Sequence, residues 1–153
     1  MTKEYKKSCR DELDWNAVEQ LHESTLQISN SCFEFKKLCV GLIGIIVAAL
    51  IKLGGSEIHI LVFILPLIIS IGFWICDSTA YYYQKKNRAL MNKILNEVAV
   101  RNQAGGGALP TNGPQWTQAF FNPSMALYYY ISIISIISII SIVSIACLIN
   151  IQL

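Results

Sequence analysis

A chain of 153 residues with 54% hydrophobic and only 14% charged side chains departs from the soluble globular mix, which is about 25% charged, and has room for one domain. Its net charge of +2 is too small to argue for nucleic acid by itself. Beyond Arg101 there is no Asp, Glu, Lys or Arg at all, which excludes an ordinary soluble domain and points to an all-α integral membrane protein with three transmembrane helices.

Residues 1–37 are predicted to be a cytoplasmic N-terminal helix, running from about Glu12 to Lys37 with Asp11 as its cap candidate. Val18, Leu21, Thr25, Ile28, Cys32, Phe35 and Cys39 recur at alternating spacings of three and four, a mixed heptad seam. Two readings are open: packing against the protein's own cytoplasmic loop, or bundling with copies of itself. Transmembrane helix 1 is expected over 38–53, since Leu38 to Ile51 is uncharged and the flanking Lys37 and Lys52 can snorkel. The acidic and basic stretch before it argues against a cleaved signal peptide. A tight external turn is expected at Gly54-Gly55.

Transmembrane helix 2 is expected over 58–78, interrupted only by Pro66. Of the twelve basic residues, only Lys52 falls on the side of the short connection between the first two spans, at the outer end of the first. The positive-inside rule then puts the N-terminus in the cytoplasm and the C-terminus outside. Asp77, where the second span leaves the lipid, is a functional suspect by default. It could pair with Lys36 or Lys37 at the same depth and fix the register of the hairpin, or take a gating or ion-attracting role.

Residues 79–123 read as a cytoplasmic extension of the second span, then a flexible loop at GGGALPTNGP, then an interfacial segment anchored by Trp116 and Phe120 with Phe121. Lys85, Lys86 and Arg88 beside Tyr81, Tyr82 and Tyr83 fit three partners. They could meet membrane lipid headgroups, at about 1 kcal/mol per residue, a nucleotide or single-stranded oligonucleotide stacking on the aromatics, or a partner protein. Transmembrane helix 3 is expected over 124–149. Within it Ser132, Ser135, Ser138, Ser141 and Ser144 recur every third residue. Each is displaced about 60° from the last, so the stripe winds around the helix. Helix packing and the lining of a water-accessible pore are both open for it, and the first span could line a pore instead through Gly41 and Gly44.

No catalytic set is legible, so the chain is expected not to be an enzyme. His22 and His59 are isolated, and the five cysteines (Cys9, Cys32, Cys39, Cys76, Cys147) show no metal spacing. We expect them reduced, with no metal and no cofactor.

The stretches NSCFEFKKLCVGLIGIIVAAL and FWICDSTAYYYQKKNRALMNKI, through Asn30, Ser31, Lys36, Phe73, Trp74, Asp77, Tyr81 and Arg88, resemble small three-span membrane effectors of bacterial anti-phage defence operons, the Hailong type being the nearest candidate. Ser-Thr-Ala between Asp77 and its tyrosines, and a Lys before the Arg, depart from that pattern. The resemblance implies an abortive-infection effector of the bacterial inner membrane: a homo-oligomeric ion channel, a tetramer, that depolarises the membrane. It also implies control by a nucleotide or oligonucleotide signal and a partner nucleotidyltransferase in the same operon. The alternative is a non-conducting anchor or scaffold that recruits a cytoplasmic partner; a third possibility is a toxin that disrupts the membrane as an aggregate.

Overall fold

The computed structural model describes residues 8–54, 60–104 and 107–152. Its elements are α1 (Cys9–Gly54), α2 (Leu61–Arg101), the short α3 (Trp116–Phe120), a 3-10 turn (Pro123–Met125) and α4 (Ala126–Gln152). Three helices are long and apolar enough to cross a membrane, within Cys9–Gly54, Leu61–Arg101 and Pro123–Ile149. No strand occurs among the described residues. The predicted turn beyond Gly54 and the isolated His59 lie outside them.

Local chemistry explains where the helices start and stop. Ser8, rather than Asp11, caps α1: the Asp11 N–H donates to Ser8 Oγ at 3.1 Å, and the Ser8 N–H donates back to Asp11 Oδ2 at 3.2 Å. This reciprocal box satisfies two donors that a helix start otherwise leaves open. Asp11 is thus its third helical residue, and α1 begins at Cys9, ahead of the Glu12 expected from sequence. At the other end of α2, Ala104 N–H donates to Ala99 O (3.0 Å) and Gln103 N–H to Val100 O (3.2 Å). That is a Schellman closure, with Gln103 in the left-handed region (φ 51°) that glycine usually takes. Helix α2 therefore stops before the first glycine of GGG. Pro66 lies inside α2 and has no N–H for the Val62 carbonyl. Asn122 caps the 3-10 turn, its Oδ1 accepting from the Ser124 N–H at 2.8 Å, with Pro123 in first position.

The chain divides into two compact units, one from Met1–Ser31 with Ala80–Ala119, the other from Cys32–Thr79 with Phe120–Leu153. In the first, α1 and α2 run antiparallel. Arg101 Nη1 donates to Asp11 Oδ1 (2.8 Å) and Nη2 to Asp14 Oδ2 (2.6 Å), while Asn87 Nδ2 reaches Ser24 Oγ at 3.3 Å. The heptad seam is the covered side of α1 here, with Val18 and Thr25 buried and Leu21 and Ile28 half-buried. The segment expected to be a flexible loop is tied down over its described part. Asn96 exchanges two hydrogen bonds with Leu109, both 2.9 Å, and Asn92 Nδ2 donates to Pro110 O at 2.7 Å. An Asn amide can do this because it presents a donor and an acceptor side by side, as a backbone edge does.

In the second unit the buried side chains include Cys39, Met125 and Tyr128 and, unusually, Ser70, Asp77 and Ser78. Its large aliphatic side chains instead point outward, Leu53, Ile45 and Ile134 among them. The pattern is inside out with respect to a water-soluble core.

Candidate functional site

Three helices each contribute one group to a buried polar cluster in the second unit. Asp77 of α2 is 0% exposed. Its Oδ2 accepts from Lys36 Nζ of α1 at 2.6 Å and from the Tyr128 hydroxyl of α4 at 3.2 Å. Lys36 also lies 3.4 Å from the Cys32 carbonyl. Lys37, the other pairing candidate, turns away: it bonds Glu34 at 2.7 Å and sits over the Phe33 ring. The difference follows from helix geometry, since adjacent residues point about 100° apart. Asp77 Oδ1 and Ser78 Oγ are buried with no protein partner. The Cys32 thiol also hydrogen-bonds the Asp77 side chain, from one turn before Lys36.

The cluster continues through backbone and hydroxyls. Ser70 Oγ donates to the Tyr128 carbonyl at 3.0 Å, and Ser132 Oγ donates to Ser70 Oγ at 3.3 Å. Beside it, Trp74 Nε1 donates to the Phe120 carbonyl at 3.1 Å, and the Tyr129 hydroxyl donates to that same carbonyl. The Trp74 ring meets Phe120, Phe121 and Tyr129 edge-on at 5.6, 6.3 and 5.6 Å, geometries that the aromatic quadrupole favours. Phe35 meets Phe73 at 6.5 Å.

The serine stripe divides along α4 as its winding requires. Ser132 joins the cluster and Ser135 is buried. Ser138 and Ser141 line an open cleft of about 550 Å³ with Phe63 and the isoleucines 137, 142, 145 and 149. Ser141 donates to the Ile137 carbonyl (2.9 Å), and Ser144 is exposed. Gly41 and Gly44 face open space.

In the first unit, Lys85, Lys86 and Arg88 are exposed. Lys85 Nζ lies 5.5 Å from the Tyr81 ring centre and Lys86 Nζ 6.0 Å from that of Tyr83. Trp116 stacks on Tyr82 at 4.0 Å, nearly parallel; Phe120, by contrast, belongs to the Trp74 group. A separate cleft of about 410 Å³ is lined by Arg10, Lys93, Asn96, Glu97, Val100, Arg101 and Thr111, with Arg101 engaged by Asp11 and Asp14. The bond to Asp14 raises the Arg101 guanidinium further above its ordinary value. Asp11 lies below its ordinary 3.8, chiefly through the Ser8 side chain and against the cost of burial. No group of His, Cys, Asp and Glu among the described residues could hold a metal ion.

Sequence reasoning paired Asp77 with the Lys36–Lys37 step but missed Tyr128, Ser70 and Arg101. A depth argument could have found Tyr128. It lies about one turn into the third apolar run, and Asp77 lies next to the last residue of the second, so the expected spans put the hydroxyl and the carboxyl at similar depth. No protein-family model, no curated protein and no solved structure matches this chain.

Proposed function

We propose that the chain is a non-enzymatic membrane effector of the bacterial inner membrane, N-terminus cytoplasmic and C-terminus outside, that assembles with copies of itself into a gated ion channel and depolarises the cell in anti-phage defence. The observation that carries this reading is the Lys36–Asp77–Tyr128 cluster, which takes one group from each of the three apolar helices. An ionisable group buried among membrane helices is costly and by default functional. Such a pair adds little net stability compared with apolar packing. It does supply two discrete arrangements, because the Lys36 ammonium can meet either Asp77 or the headgroups at the end of a long stem.

The serines on the open cleft of α4 supply a weakly polar rim without charge, which suits a pore gated by wetting between isoleucines. The resemblance to Hailong-type effectors adds a nucleotide or single-stranded oligonucleotide signal, for which Lys85, Lys86 and Arg88 with their tyrosines are the candidate contact, and a nucleotidyltransferase as its source. Single-channel recording in planar bilayers, with subunit number read by mass photometry, tests the proposal. We expect discrete conductance steps from a defined oligomer and an altered open probability in Lys36→Met. Monomeric particles in a silent bilayer overturn it. The exposed basic stretch, which makes no ion pair among the described residues, favours one second reading, a scaffold for a cytoplasmic partner. Replacing 131–149 by poly-Leu separates the two, since only the scaffold keeps its function.

A further inference from the structure

Two helix stripes in the first unit lie exposed among the described residues. On α1, Glu12, Trp15, Glu19, His22 and Leu26 follow spacings of three and four, and all five are exposed. On α2, Tyr83, Lys86, Leu90, Lys93, Glu97 and Val100 do the same, again all exposed, with Val100 at 80%. Each stripe mixes charged groups with large apolar ones, Trp15 and Leu26 on α1 and Tyr83, Leu90 and Val100 on α2, a composition that fits a polar helix-helix contact. The other faces of these helices are already used, by the covered seam with Val18 and Thr25 on α1 and by the Asn92–Asn96 contacts with the 109–110 segment on α2. The stripes carry opposite net charge: Glu97 aside, which leaves the second stripe at one net positive charge, the charged groups are Glu12 and Glu19 on one and Lys86 and Lys93 on the other. None of these four makes an ion pair among the described residues.

We infer that the occupant of each stripe is the other stripe on a second copy, the α1 stripe of one subunit lying antiparallel on the α2 stripe of the next. Between copies inserted with one orientation such a contact repeats about an axis along the membrane normal, and a two-fold pair is its smallest closed form. Rotation about an axis along the membrane normal leaves every subunit at one height, so the register within a chain carries over to its neighbour. Arg101 stands level with Asp14, and Asn87 with Ser24. On that scale Lys93 comes level with Glu19 and Val100 with Trp15, putting a cation against an anion and an aliphatic group against an aromatic ring. Opposite potentials across such a contact favour the right register and penalise wrong partners. The inference rests on the oligomeric part of the proposed function and not on conduction.

The test uses the full chain in detergent, with mass photometry at fixed concentration. Glu19→Lys and Lys93→Glu, alone, are each expected to weaken assembly roughly tenfold or more, because each puts like charges together. The double variant is expected to recover it. Independently, in a Cys9→Ser background, Glu19→Cys and Lys93→Cys on separately tagged, co-expressed chains should form a disulfide between unlike chains, which requires no charge reversal to be tolerated. Self-cross-linking of Glu19→Cys alone overturns the head-to-tail contact, as do single reversals that leave assembly unchanged or a double variant that fails to recover. A wild-type chain that is monomeric removes the oligomeric reading itself, an outcome separate from an intact oligomer indifferent to both reversals.

Discussion

Removing the two partners of the buried ion pair should have unequal costs. Lys36→Met leaves the Asp77 carboxylate, 0% exposed, with only the neutral Tyr128 hydroxyl and Cys32 thiol beside it, and its Oδ1 has no protein partner. An uncompensated buried charge of this kind costs about 3–5 kcal/mol. Asp77→Leu leaves an ammonium on a side chain that is already 24% exposed and can turn outward. The remaining loss is the Tyr128 hydroxyl without its acceptor, about 1–3 kcal/mol. The double variant Lys36→Met/Asp77→Leu removes the charge altogether and should lie near the Asp77→Leu value, giving a coupling about equal to the Lys36→Met cost, roughly 3–5 kcal/mol. Unfolding in detergent by SDS titration, followed by circular dichroism, measures all three. Equal costs for the singles, or a double variant equal to their sum, would refute the reasoning. On the proposed channel reading, the double variant should assemble in bilayers yet lose the gated transition.

Other outcomes follow from the first unit. The Asp11 carboxyl is held below its ordinary 3.8, so its contribution is present above that value and lost as pH falls through the lower folded one. Hydrogen exchange should show the first turn of α1 and the last turn of α2 losing protection together on acidification below about 3.8, and Asp11→Asn should flatten that dependence. Gln103→Gly relieves a left-handed residue and should stabilise the fold by about 0.5–1 kcal/mol after the entropy of the added glycine, raising the unfolding midpoint; a lower midpoint would contradict the closure described. Asn96→Ala removes both bonds to Leu109 and should cost about 1–2 kcal/mol. The amide of Leu109 should then exchange at the rate of an open loop, and continued protection would count against the tie.

The sequence made the apolar helices and the winding of the serine stripe readable because both are properties of period and composition. The three-residue spacing of Ser132 to Ser144 requires drift around the helix, and the structure accordingly divides those residues among cluster, cleft and exterior. Depth also placed Asp77 near Lys36 and Lys37, although depth alone could not choose between adjacent lysines. What stayed hidden depends on rotation and on distant pairing. Arg101 reaches Asp11 across ninety positions of sequence, and no local spacing announces such a fork. Asp11 is an acceptable cap by residue type, but Ser8 three residues earlier completes a reciprocal box with it, and that reciprocity decides the boundary. Glycine composition suggested free chain after Arg101, whereas two asparagines one turn apart hold Leu109 and Pro110.

The joint leading into the last helix places its hydrogen bonding on a peptide group rather than on a side chain. Trp74 and Tyr129 both donate to the carbonyl of Phe120, and every amino acid carries that oxygen. Position 120 can therefore drift among residues of similar bulk and keep both bonds, while the two donors have few substitutes. Saturation mutagenesis across the joint should show a tolerant centre between two intolerant flanks, the reverse of what ring size at position 120 suggests.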